Sequence, residues 1–444
     1  MINKGNKMER TLIENIDKSI GKKVRICGFA SIIRDQGSIK FLVIRDISGT
    51  IQAVIQKENT KAQKIAKSLT LESVIEIEGT VKEEKQAPCG VEVNIENLSV
   101  LSEAELELPI PVVGKGQGET DLSKRQDWRF LDLRKPERSL IFKVWTAMEQ
   151  AFREYWTENR YIEIHSPKFM STPSESGAEL FEVKYFDRKA FLAQSPQFYK
   201  QMAMASGFER VFEVGPVFRA NPSFTSRHDT EFTGYDMEIA YIESHQDVME
   251  EEQKAIAYML TQIKEKFGED IKKYYDREIV VPSLPFPHVT MKQAKEILAK
   301  LKVPSEKDGD LSPAEERKLC EYIKEKENHE FVFVTEYPID VRPFYHMRIE
   351  DNPKLTKSFD LLWNGLEITT GAQREHRYDI LVSQAKEKGV KLEPIQFYLN
   401  FFKYGCPPHG GLGAGPSRML MKIFNVENVR EVTYLYRGIK RLSP

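Results

Sequence analysis

The segment GFERVFEVGPVFRANPSFTSRHDTEFTGYDMEIAYI, residues 207–242, decides the fold of the larger part of this chain. It opens with an apolar run that ends at Arg219, and it closes with residues 231–242, in which the side chains alternate as in a strand. Alternation with a period of two is typical of a strand with one buried face. The segment therefore predicts a strand, a polar loop and a second strand that returns beside the first.

Two carboxylates, Asp236 and Glu238, share one face of the second predicted strand, because successive side chains of a strand point to opposite faces. Carboxylates on a face that packs against a core need partners. The preceding loop supplies Arg219, Arg227 and His228, and guanidinium groups bind phosphates through paired hydrogen bonds. We interpret the hairpin as a platform for a polyanion; an ordinary hairpin with a solvated, charged turn is the alternative.

The composition is that of an ordinary globular protein, since 30% of the 444 residues are charged and 41% are hydrophobic. This length suits two or three domains, and the net charge of −2 gives no chain-wide sign of nucleic-acid binding. The four cysteines are scattered and do not support a disulfide framework or a zinc site. Because the sequence has neither a membrane-spanning apolar run nor a signal peptide, we expect a cytoplasmic protein without membrane contact.

The N-terminal part predicts a small β-barrel. Residues 22–100 contain five short alternating segments separated by turns, and the OB-fold is a common barrel of this size. Barrels of this kind stack bases on exposed aromatic rings and read base edges with side-chain amides. The residues of these strands that suit such contacts are Arg34, Phe41, Gln52 and Glu92. A purely structural barrel with Phe41 in its core is the alternative.

A stretch rich in proline, glycine and charge follows at 103–118, as expected of a linker. We therefore divide the chain into a barrel domain (1–102), a linker or hinge (103–135) and a second domain (136–444). Apolar residues between 138 and 159 follow helical spacing, and a strand that ends at Pro167 comes next. Such a helix and strand can form a subunit interface, while an ordinary core pair is the alternative.

Polar groups also collect where residues 191–201, FLAQSPQFYKQ, pass from a strand into a helix. These are Ser195, Gln197 and Lys200, and the flexible polar loop before them carries Glu175.

Two more carboxylates, Asp360 and Glu367, lie on either side of Asn364-Gly365, which is a turn signal. A hairpin here would bring both carboxylates to one side, where their oxygens suit Mg²⁺. A solvated pair of carboxylates is the alternative.

The last informative stretch is HGGLGAGPSRMLMKIF, residues 409–424. Its glycines would let the backbone approach a ligand closely, and Pro416 is a good first residue for a helix that carries Arg418 in its first turn. The spacing matches neither a Walker P-loop nor a dinucleotide fingerprint.

Together these stretches resemble the three sequence motifs of the class II aminoacyl-tRNA synthetases. Along almost its whole length the chain resembles the aspartyl-tRNA synthetases of the archaeal and eukaryotic type. The resemblance implies an α+β chain, in which an N-terminal OB-fold barrel precedes a catalytic domain with an antiparallel β-sheet flanked by helices. It also implies a homodimer that joins through residues 138–167. The matching stretches are the anticodon-binding barrel (20–102), the approach to motif 1 (119–134), the aspartate pocket (191–201), motif 2 (217–242), the metal and amino-acid strand (359–376) and motif 3 (409–421).

The resemblance also implies a reaction. L-aspartate would be attached to tRNA through an aspartyl-adenylate, with ATP and Mg²⁺, and Arg219 and Arg418 would be catalytic because they stabilise charge during pyrophosphate displacement. Asp360 and Glu367 would hold Mg²⁺. The residues implied for ATP are Arg219, Ala220, Asn221, Arg227, His228, Asp229, Phe232, Glu367, Gly415, Pro416, Ser417 and Arg418.

For the amino acid, the resemblance implies that Lys200 and Arg374 pair with the side-chain carboxylate. The neutral amide of asparagine would leave both cations unpaired, which explains its rejection. The full set implied for aspartate is Glu175, Ser195, Gln197, Lys200, Arg219, Asp236, Thr370 and Arg374.

Three positions depart from the usual pattern of the family. Asn221 replaces a glutamate of motif 2, Ser417 replaces an acidic residue before the motif 3 arginine, and Gly438 replaces the aspartate of a C-terminal Pro-Arg-Asp. The amide oxygen of Asn221 still accepts a hydrogen bond, so activity is not excluded.

Two barrel positions bear on the choice of tRNA. Discriminating members of the archaeal type resemble one another in carrying Trp and Lys where this chain has Ser31 and Pro88. Without those side chains nothing selects against the wrong anticodon base, so we expect both tRNA(Asp) and tRNA(Asn) as substrates. The alternatives are a discriminating aspartyl- or asparaginyl-tRNA synthetase, a paralog with altered activity, and a non-enzymatic RNA-binding protein.

Overall fold

The computed structural model describes residues 8–112, 120–173, 179–222 and 225–444, and it divides the chain into two compact units, Met1–Pro136 and Glu137–Pro444. The elements of the first unit are β1 (Lys23–Asp35), β2 (Lys40–Arg45), β3 (Thr50–Ile55), α1 (Thr60–Ser68), β4 (Val74–Glu83), β5 (Val91–Ser102), α2 (Leu122–Asp127) and α3 (Arg129–Asp132). The five strands close a barrel in the order β1-β2-β3-β5-β4, which confirms the predicted OB-fold. Its strands pair antiparallel except β3 with β5, which run parallel.

The barrel follows directly from the alternation in its sequence. Inward-facing Ile26, Leu42, Ile44 and Ile77 are fully buried, while their neighbours along each strand are more exposed. Helix α2 lies within the stretch predicted as a linker or hinge, and it begins where the Asp121 carboxylate accepts hydrogen bonds from two backbone amides. The predicted domain boundaries stay a prediction.

The second unit is built on one large sheet with helices around it. Its strands are β6 (Ile162–Glu163), β7 (Phe169–Met170), β8 (Glu182–Tyr185), β9 (Arg188–Leu192), β10 (Arg210–Phe218), β11 (Glu231–Ala240), β12 (His288–Thr290), β13 (Phe331–Thr335), β14 (Arg348–Ile349), β15 (Asn352–Thr356), β16 (Ser358–Trp363), β17 (Leu366–Gln373) and β18 (His409–Ala414). Its helices are α4 (Pro136–Glu158), α5 (Gln197–Ala205), α6 (His245–Tyr275), α7 (Met291–Lys300), α8 (Pro313–Glu327), α9 (Tyr378–Glu387), α10 (Gln396–Lys403), α11 (Pro416–Ile423) and α12 (Val429–Val432).

Eight strands form the large sheet in the order β12-β13-β16-β17-β18-β11-β10-β6. The six central strands are antiparallel, as predicted, and the pair at each edge is parallel. This order brings β18, which is late in the chain, between β17 and β11. Residues that are far apart in sequence therefore meet on adjacent strands.

Two local predictions for this unit, the hairpin of β10 with β11 and the turn at Asn364-Gly365, are confirmed. Strands β10 and β11 pair antiparallel with Glu213 opposite Asp236. Asn364 and Gly365 turn β16 into β17 with positive φ angles of 44° and 78°, a conformation that both residue types tolerate. The predicted strand before Pro167 is much shorter than its sequence pattern, because only Ile162–Glu163 pair with β10.

The main core of the second unit fills the space between one face of the sheet and helices α4, α6 and α11. It is rich in aromatic rings; for example, Trp156 lies 4.8 Å from Phe212 and 5.2 Å from Phe152 between ring centroids. The opposite face of the central strands is left for a cavity. Among the described residues, none of the helices combines the length and the apolar character needed to cross a membrane.

Candidate active site

A cavity of about 330 Å³ lies over the central strands of the large sheet. Strands β10, β11, β17 and β18 supply much of its wall, and the polar loop between β10 and β11 supplies another part. Most of the residues implied for ATP and aspartate line it, namely Ser195, Gln197, Arg219, Asn221, Arg227, His228, Asp229, Phe232, Asp236, Glu367, Thr370, Arg374, Gly415, Ser417 and Arg418. The structure thus brings together side chains from segments more than 200 residues apart.

Four predicted residues that the structure describes do not line this cavity. Ala220 donates its backbone N–H to the carbonyl of Glu179, 2.8 Å away, and Pro416 is buried as the first residue of α11. Lys200 and Asp360 are buried outside the lining. Glu175 lies outside the described residues.

Two of the arginines in the cavity form open ion pairs, the name used below for the pairs Arg418–Glu367 and Arg227–Glu316. Arg418 donates to the backbone carbonyl of Glu367 at 2.9 Å and to its carboxylate at 3.1 Å. Arg227 donates to the Glu316 carboxylate at 2.8 Å. In each pair a phosphate group could replace the carboxylate as the partner of the arginine, and a metal ion could replace the arginine as the partner of the carboxylate.

Helix α8 contributes Glu316, which the sequence patterns did not single out. Burial and the nearby Glu367 together raise the pKa of this carboxyl to about 7, although Arg227 lowers it. His228, which follows Arg227 in the same loop, has a lowered pKa because it is buried and because Arg418 and Arg227 disfavour its cationic form. The open ion pairs therefore lie in a region where burial disfavours the charged forms of Glu316 and His228.

Arg219 follows directly after β10, and its guanidinium lies 5.7 Å from the ring centroid of Phe232 on β11. Its backbone amide donates to the carbonyl of Thr230, which closes the end of the hairpin. A guanidinium beside an aromatic face gives the cavity a flat, cationic wall. This wall is suited to a phosphate next to a planar ring.

Lys200, Asp236, Glu238 and Arg374 form a second charged group, called the buried charge cluster below. The Lys200 ammonium lies 2.9 Å from Asp236 and 3.4 Å from Glu238, and Arg374 donates to Glu238 at 2.9 Å. Lys200 also donates to the carbonyl of Leu412 at 2.8 Å. The cluster contains two cations and two anions, and it is balanced without a ligand.

This cluster corrects one expectation. The loop cations Arg219, Arg227 and His228 were expected to be the partners of Asp236 and Glu238, but the partners are Lys200 and Arg374. The reason is the strand order, since Arg374 directly follows β17 and reaches past β18 to β11. The three strands pack closely enough for the Arg374 side chain to reach Glu238 on β11.

Gly411 on β18 lies next to both Arg374 and the Glu238 carboxylate. Only glycine fits at this position, because there is no room for a side chain. A Cβ atom there would lie 2.1 Å from the Glu238 carboxylate and 2.1 Å from the carbonyl of Met237. The Gly411 carbonyl accepts a hydrogen bond from Arg374 at 2.9 Å. Burial alone would raise the pKa of Glu238, but Arg374 and Lys200 lower it, so this carboxylate stays ionised.

The two carboxylates implied for Mg²⁺ are close enough to influence each other. Burial raises the pKa of Asp360, and so does the nearby Glu367, whereas Arg342 opposes the shift with its guanidinium 2.8 Å from Asp360. The Oδ1 atom of Asp360 is buried and has no hydrogen-bond partner among the described residues. An orphaned carboxylate oxygen beside a second carboxylate fits a hard cation such as Mg²⁺. The described residues contain no ready-made group of three or more metal-ligating side chains.

In the barrel, the four residues implied for anticodon contact lie on one outer face. Arg34 pairs with Phe41 across β1 and β2, and Gln52 pairs with Glu92 across β3 and β5, donating to its carboxylate at 3.1 Å. Phe41 is half-exposed and is not part of the barrel core, so the alternative that placed it there is wrong. A partly exposed aromatic ring, an amide and a guanidinium together suit an unpaired base.

The two positions implied for tRNA discrimination have different environments. Ser31 is buried at a β-bulge of β1, and its hydroxyl donates to the carbonyl of Val43 at 2.9 Å. Pro88 is exposed in the loop between β4 and β5. The neighbouring Cys89 thiol lies 3.7 Å from the carbonyl of Thr50, where β3 begins.

Comparison with known proteins identifies the family. The family model "tRNA synthetases class II (D, K and N)" matches residues 121–437, and an "OB-fold nucleic acid binding domain" matches residues 24–101. An Aeropyrum pernix protein named aspartate–tRNA(Asp/Asn) ligase is 45% identical over 98% of both chains. A Pyrococcus abyssi protein named aspartate–tRNA(Asp) ligase is 42% identical over 96% of this chain and 97% of that one.

A solved structure has the same fold over the whole chain. It is the asparaginyl-tRNA synthetase from Pyrococcus horikoshii complexed with asparaginyl-adenylate, which has a TM-score of 0.91 and 32% identity and covers 99% of this chain and 100% of its own. The chain therefore belongs to the class II aminoacyl-tRNA synthetases for aspartate, lysine and asparagine, and among these ATP-using tRNA ligases it belongs to the aspartate–tRNA ligases.

Proposed function

We propose that this chain attaches L-aspartate to both tRNA(Asp) and tRNA(Asn), through an aspartyl-adenylate formed from ATP with Mg²⁺. The observation that carries the proposal is the cavity of about 330 Å³, whose wall includes arginines of the open ion pairs together with Asp236 and Arg374 of the buried charge cluster. The open ion pairs and Arg219 suit a triphosphate, and the buried charge cluster suits an amino acid with an anionic side chain.

In the first step an α-carboxylate oxygen of aspartate attacks the α-phosphorus of ATP. The bond to the bridging oxygen breaks, and pyrophosphate leaves with the electron pair of that bond. Arg219 binds the α-phosphate and the attacking carboxylate, and Arg418 exchanges Glu367 for an outer phosphate. No side chain acts as a nucleophile, because positioning and fixed charges suffice for in-line displacement. The remaining proposed ATP contacts come from Ala220, Asn221, Arg227, His228, Asp229, Phe232, Gly415, Pro416 and Ser417.

Asp360 and Glu367 are the proposed magnesium ligands. Bound Mg²⁺ would neutralise phosphate charge and hold the phosphates in register. Glu367 lines the cavity, and Asp360 has a buried oxygen with no hydrogen-bond partner in the part of the chain that the structure describes. Glu367 would exchange Arg418 for the metal ion, so the cavity would keep its charges paired both with and without nucleotide.

The amino acid is recognised at the buried charge cluster. We propose that Arg374, together with Lys200, binds the side-chain carboxylate, and that Asp236 with Glu175 binds the ammonium group. Ser195, Gln197 and Thr370 orient the rest of the substrate. The cluster is balanced when empty, so a carboxylate adds an anion that the two cations share with Glu238. An amide cannot supply this charge, which disfavours asparagine.

A second candidate is an asparaginyl-tRNA synthetase, because the Pyrococcus horikoshii asparaginyl enzyme has the same fold. Pyrophosphate exchange with aspartate or asparagine as the only amino acid separates the two candidates. We expect exchange with aspartate alone. Exchange that is faster with asparagine would overturn the proposed substrate.

The relaxed choice of tRNA rests on Ser31 and Pro88. A Trp at Ser31 would fill space next to the outer face of the barrel that carries Gln52, and a Lys at Pro88 would add a cation to an exposed loop. This chain has neither, so nothing there selects against the anticodon of tRNA(Asn). Contacts of this kind change the difference in binding free energy between the two tRNAs by roughly 1–3 kcal/mol.

Aminoacylation of separately transcribed tRNA(Asp) and tRNA(Asn) with labelled aspartate tests this proposal. We expect similar kcat/KM values for the two transcripts, and a shift toward tRNA(Asp) in the double variant Ser31→Trp, Pro88→Lys. Ile20→Trp, which adds a Trp at an exposed position shortly before β1, is the control for the added ring. A preference of about 100-fold for tRNA(Asp) that the double variant leaves unchanged would refute the proposal.

The proposed homodimer joins through helix α4 and the residues up to Pro167. In a single chain Ile162 at the sheet edge is exposed, and Phe142 and Trp145 on α4 are only partly buried. Apolar groups of this kind are covered when an interface forms. Analytical ultracentrifugation at micromolar concentration should give twice the mass of the chain, and a monomer there would contradict the proposal.

A further inference from the structure

The imidazole of His346 lies against the guanidinium of Arg374, on the side away from Glu238. Its Nε2 atom is 3.1 Å from one terminal nitrogen of Arg374. The ring is buried, and it belongs to the lining of the cavity. None of the sequence motifs includes this histidine, so its contact with the buried charge cluster emerges only from the fold.

The contact determines where the proton of the imidazole resides. An arginine only donates hydrogen bonds, so Nε2 must be the unprotonated acceptor, and the proton of the neutral ring is on Nδ1. Nδ1 is buried and has no hydrogen-bond partner among the described residues. Burial lowers the pKa of His346 well below its ordinary value, and Arg374 and Arg342 lower it further, which is consistent with a neutral ring.

The backbone at His346 is held from two directions. Gln384 of α9 donates its side-chain amide to the carbonyls of Phe344, at 2.6 Å, and of His346, at 3.1 Å. The next residue, Met347, donates its amide to the carbonyl of Gln373, directly before Arg374. The histidine and the arginine are therefore fixed to each other through their backbones as well as their side chains.

We propose that His346 is a positioning residue for substrate specificity: its neutral Nε2 holds the Arg374 guanidinium in the orientation that recognises the side-chain carboxylate of aspartate. Glu238 and the carbonyl of Gly411 hold other nitrogens of the same guanidinium. A neutral acceptor at the third nitrogen fixes the plane of the guanidinium without adding an anion that would compete with the substrate carboxylate. This proposal rests on the proposed recognition of aspartate by Arg374.

The three substitutions His346→Gln, His346→Asn and His346→Leu separate this role from simple packing. The amide oxygen of glutamine reaches the place of Nε2, whereas that of asparagine reaches only the place of Nδ1. Leucine keeps much of the volume but has no acceptor. His329→Gln is the matched control, because His329 is also buried and hydrogen-bonded but lies outside the cavity lining.

Aspartate-dependent pyrophosphate exchange gives the readout, with KM for aspartate and KM for ATP measured separately. We expect His346→Gln to stay within about threefold of the wild type, and His346→Leu and His346→Asn to raise KM for aspartate about tenfold or more. The kcat value and KM for ATP should change little, and inhibition by asparagine should become stronger relative to binding of aspartate. The control should change thermal stability only.

Equal KM values for aspartate in the Gln and Asn variants would overturn the proposal, and so would an equal rise in both KM values. If the Leu variant does not fold, the comparison of Gln with Asn decides alone. Failure of the proposed function is a different outcome: the wild-type protein itself would then show no exchange with aspartate.

Discussion

The open ion pairs and the buried charge cluster both contribute side chains to the wall of one cavity, but they differ in exposure. Side chains of the pair Arg418–Glu367 are 23% and 36% exposed and those of Arg227–Glu316 are 17% and 9% exposed, whereas those of Lys200, Glu238 and Arg374 are 1%, 0% and 3% exposed. Exposed ion pairs contribute little to stability and exchange partners readily. Buried pairs are rigid, because loss of one partner leaves an uncompensated charge.

This difference suits the two tasks of the proposed reaction. Triphosphate and metal ion enter and leave in every cycle, so the cations that bind them must release their resting partners at small cost. Recognition of the amino-acid side chain instead requires a fixed arrangement of charges. A rigid, buried cluster discriminates well because it cannot relax around the wrong substrate.

Removal of the shared anion should have the largest effect. Glu238→Gln leaves Lys200 and Arg374 without a common partner, so we expect a loss of stability of about 3–5 kcal/mol together with loss of aspartate-dependent exchange. Thermal unfolding and pyrophosphate exchange measure the two effects. Glu243→Gln, at an exposed position shortly after β11, is the control. Wild-type stability in the Glu238 variant would show that the cluster is not rigid.

Removal of a cation from the other set should abolish activity but preserve the fold. Arg418→Ala or Arg219→Ala deletes a charge that acts mainly on the transition state, so we expect exchange to fall by roughly 100-fold or more, about 3 kcal/mol. The melting temperature should stay near that of the wild type. Exchange rates within a few-fold of the wild type would remove both arginines from the proposed mechanism.

The core side of the sheet offers a test by pH. Glu252 of α6 is fully buried beneath β17, accepts a hydrogen bond from the Thr369 hydroxyl, and has a pKa raised to about 8 by burial. The folded protein keeps this proton where the unfolded chain releases it, so stability should fall as pH rises from about 4.5 to about 8.

Glu252→Gln should flatten this part of the stability profile and should raise the melting temperature more at pH 8 than at pH 5. Glu250→Gln, on the exposed face of the same helix, should leave the slope unchanged. Parallel profiles for the wild type and the Glu252 variant would show that the carboxyl does not titrate in this range.

The smallest effect is expected at the second open ion pair. Glu316→Gln weakens the hold on Arg227, which then binds the triphosphate without competition, so KM for ATP should fall by about two- to fivefold. KM for aspartate should not change. The same change should appear in the wild type as pH falls through about 7, because the Glu316 carboxyl is then protonated. A higher KM for ATP in the variant would show that Glu316 positions Arg227 instead of competing for it.

The local features of this protein follow from its sequence alone. Alternation in residues 22–100 and 231–242 is sufficient for the barrel strands and for β11, because a half-buried strand has a period of two residues. Asn364-Gly365 determines a tight hairpin, and Pro416 determines where α11 begins, because both depend on backbone preferences of single residues. The order of the motifs is sufficient to indicate the family.

Only the tertiary structure decided which charges meet. Glu238 and Lys200 are neighbours of Arg374 because β18 lies between β17 and β11, and no local pattern contains that strand order. The contacts of Arg227 with Glu316 and of Arg374 with His346 likewise join segments that are distant in the chain. Ion pairing and hydrogen bonding in a buried site depend on distance and on exclusion of water, and both are properties of the packed fold rather than of the residues.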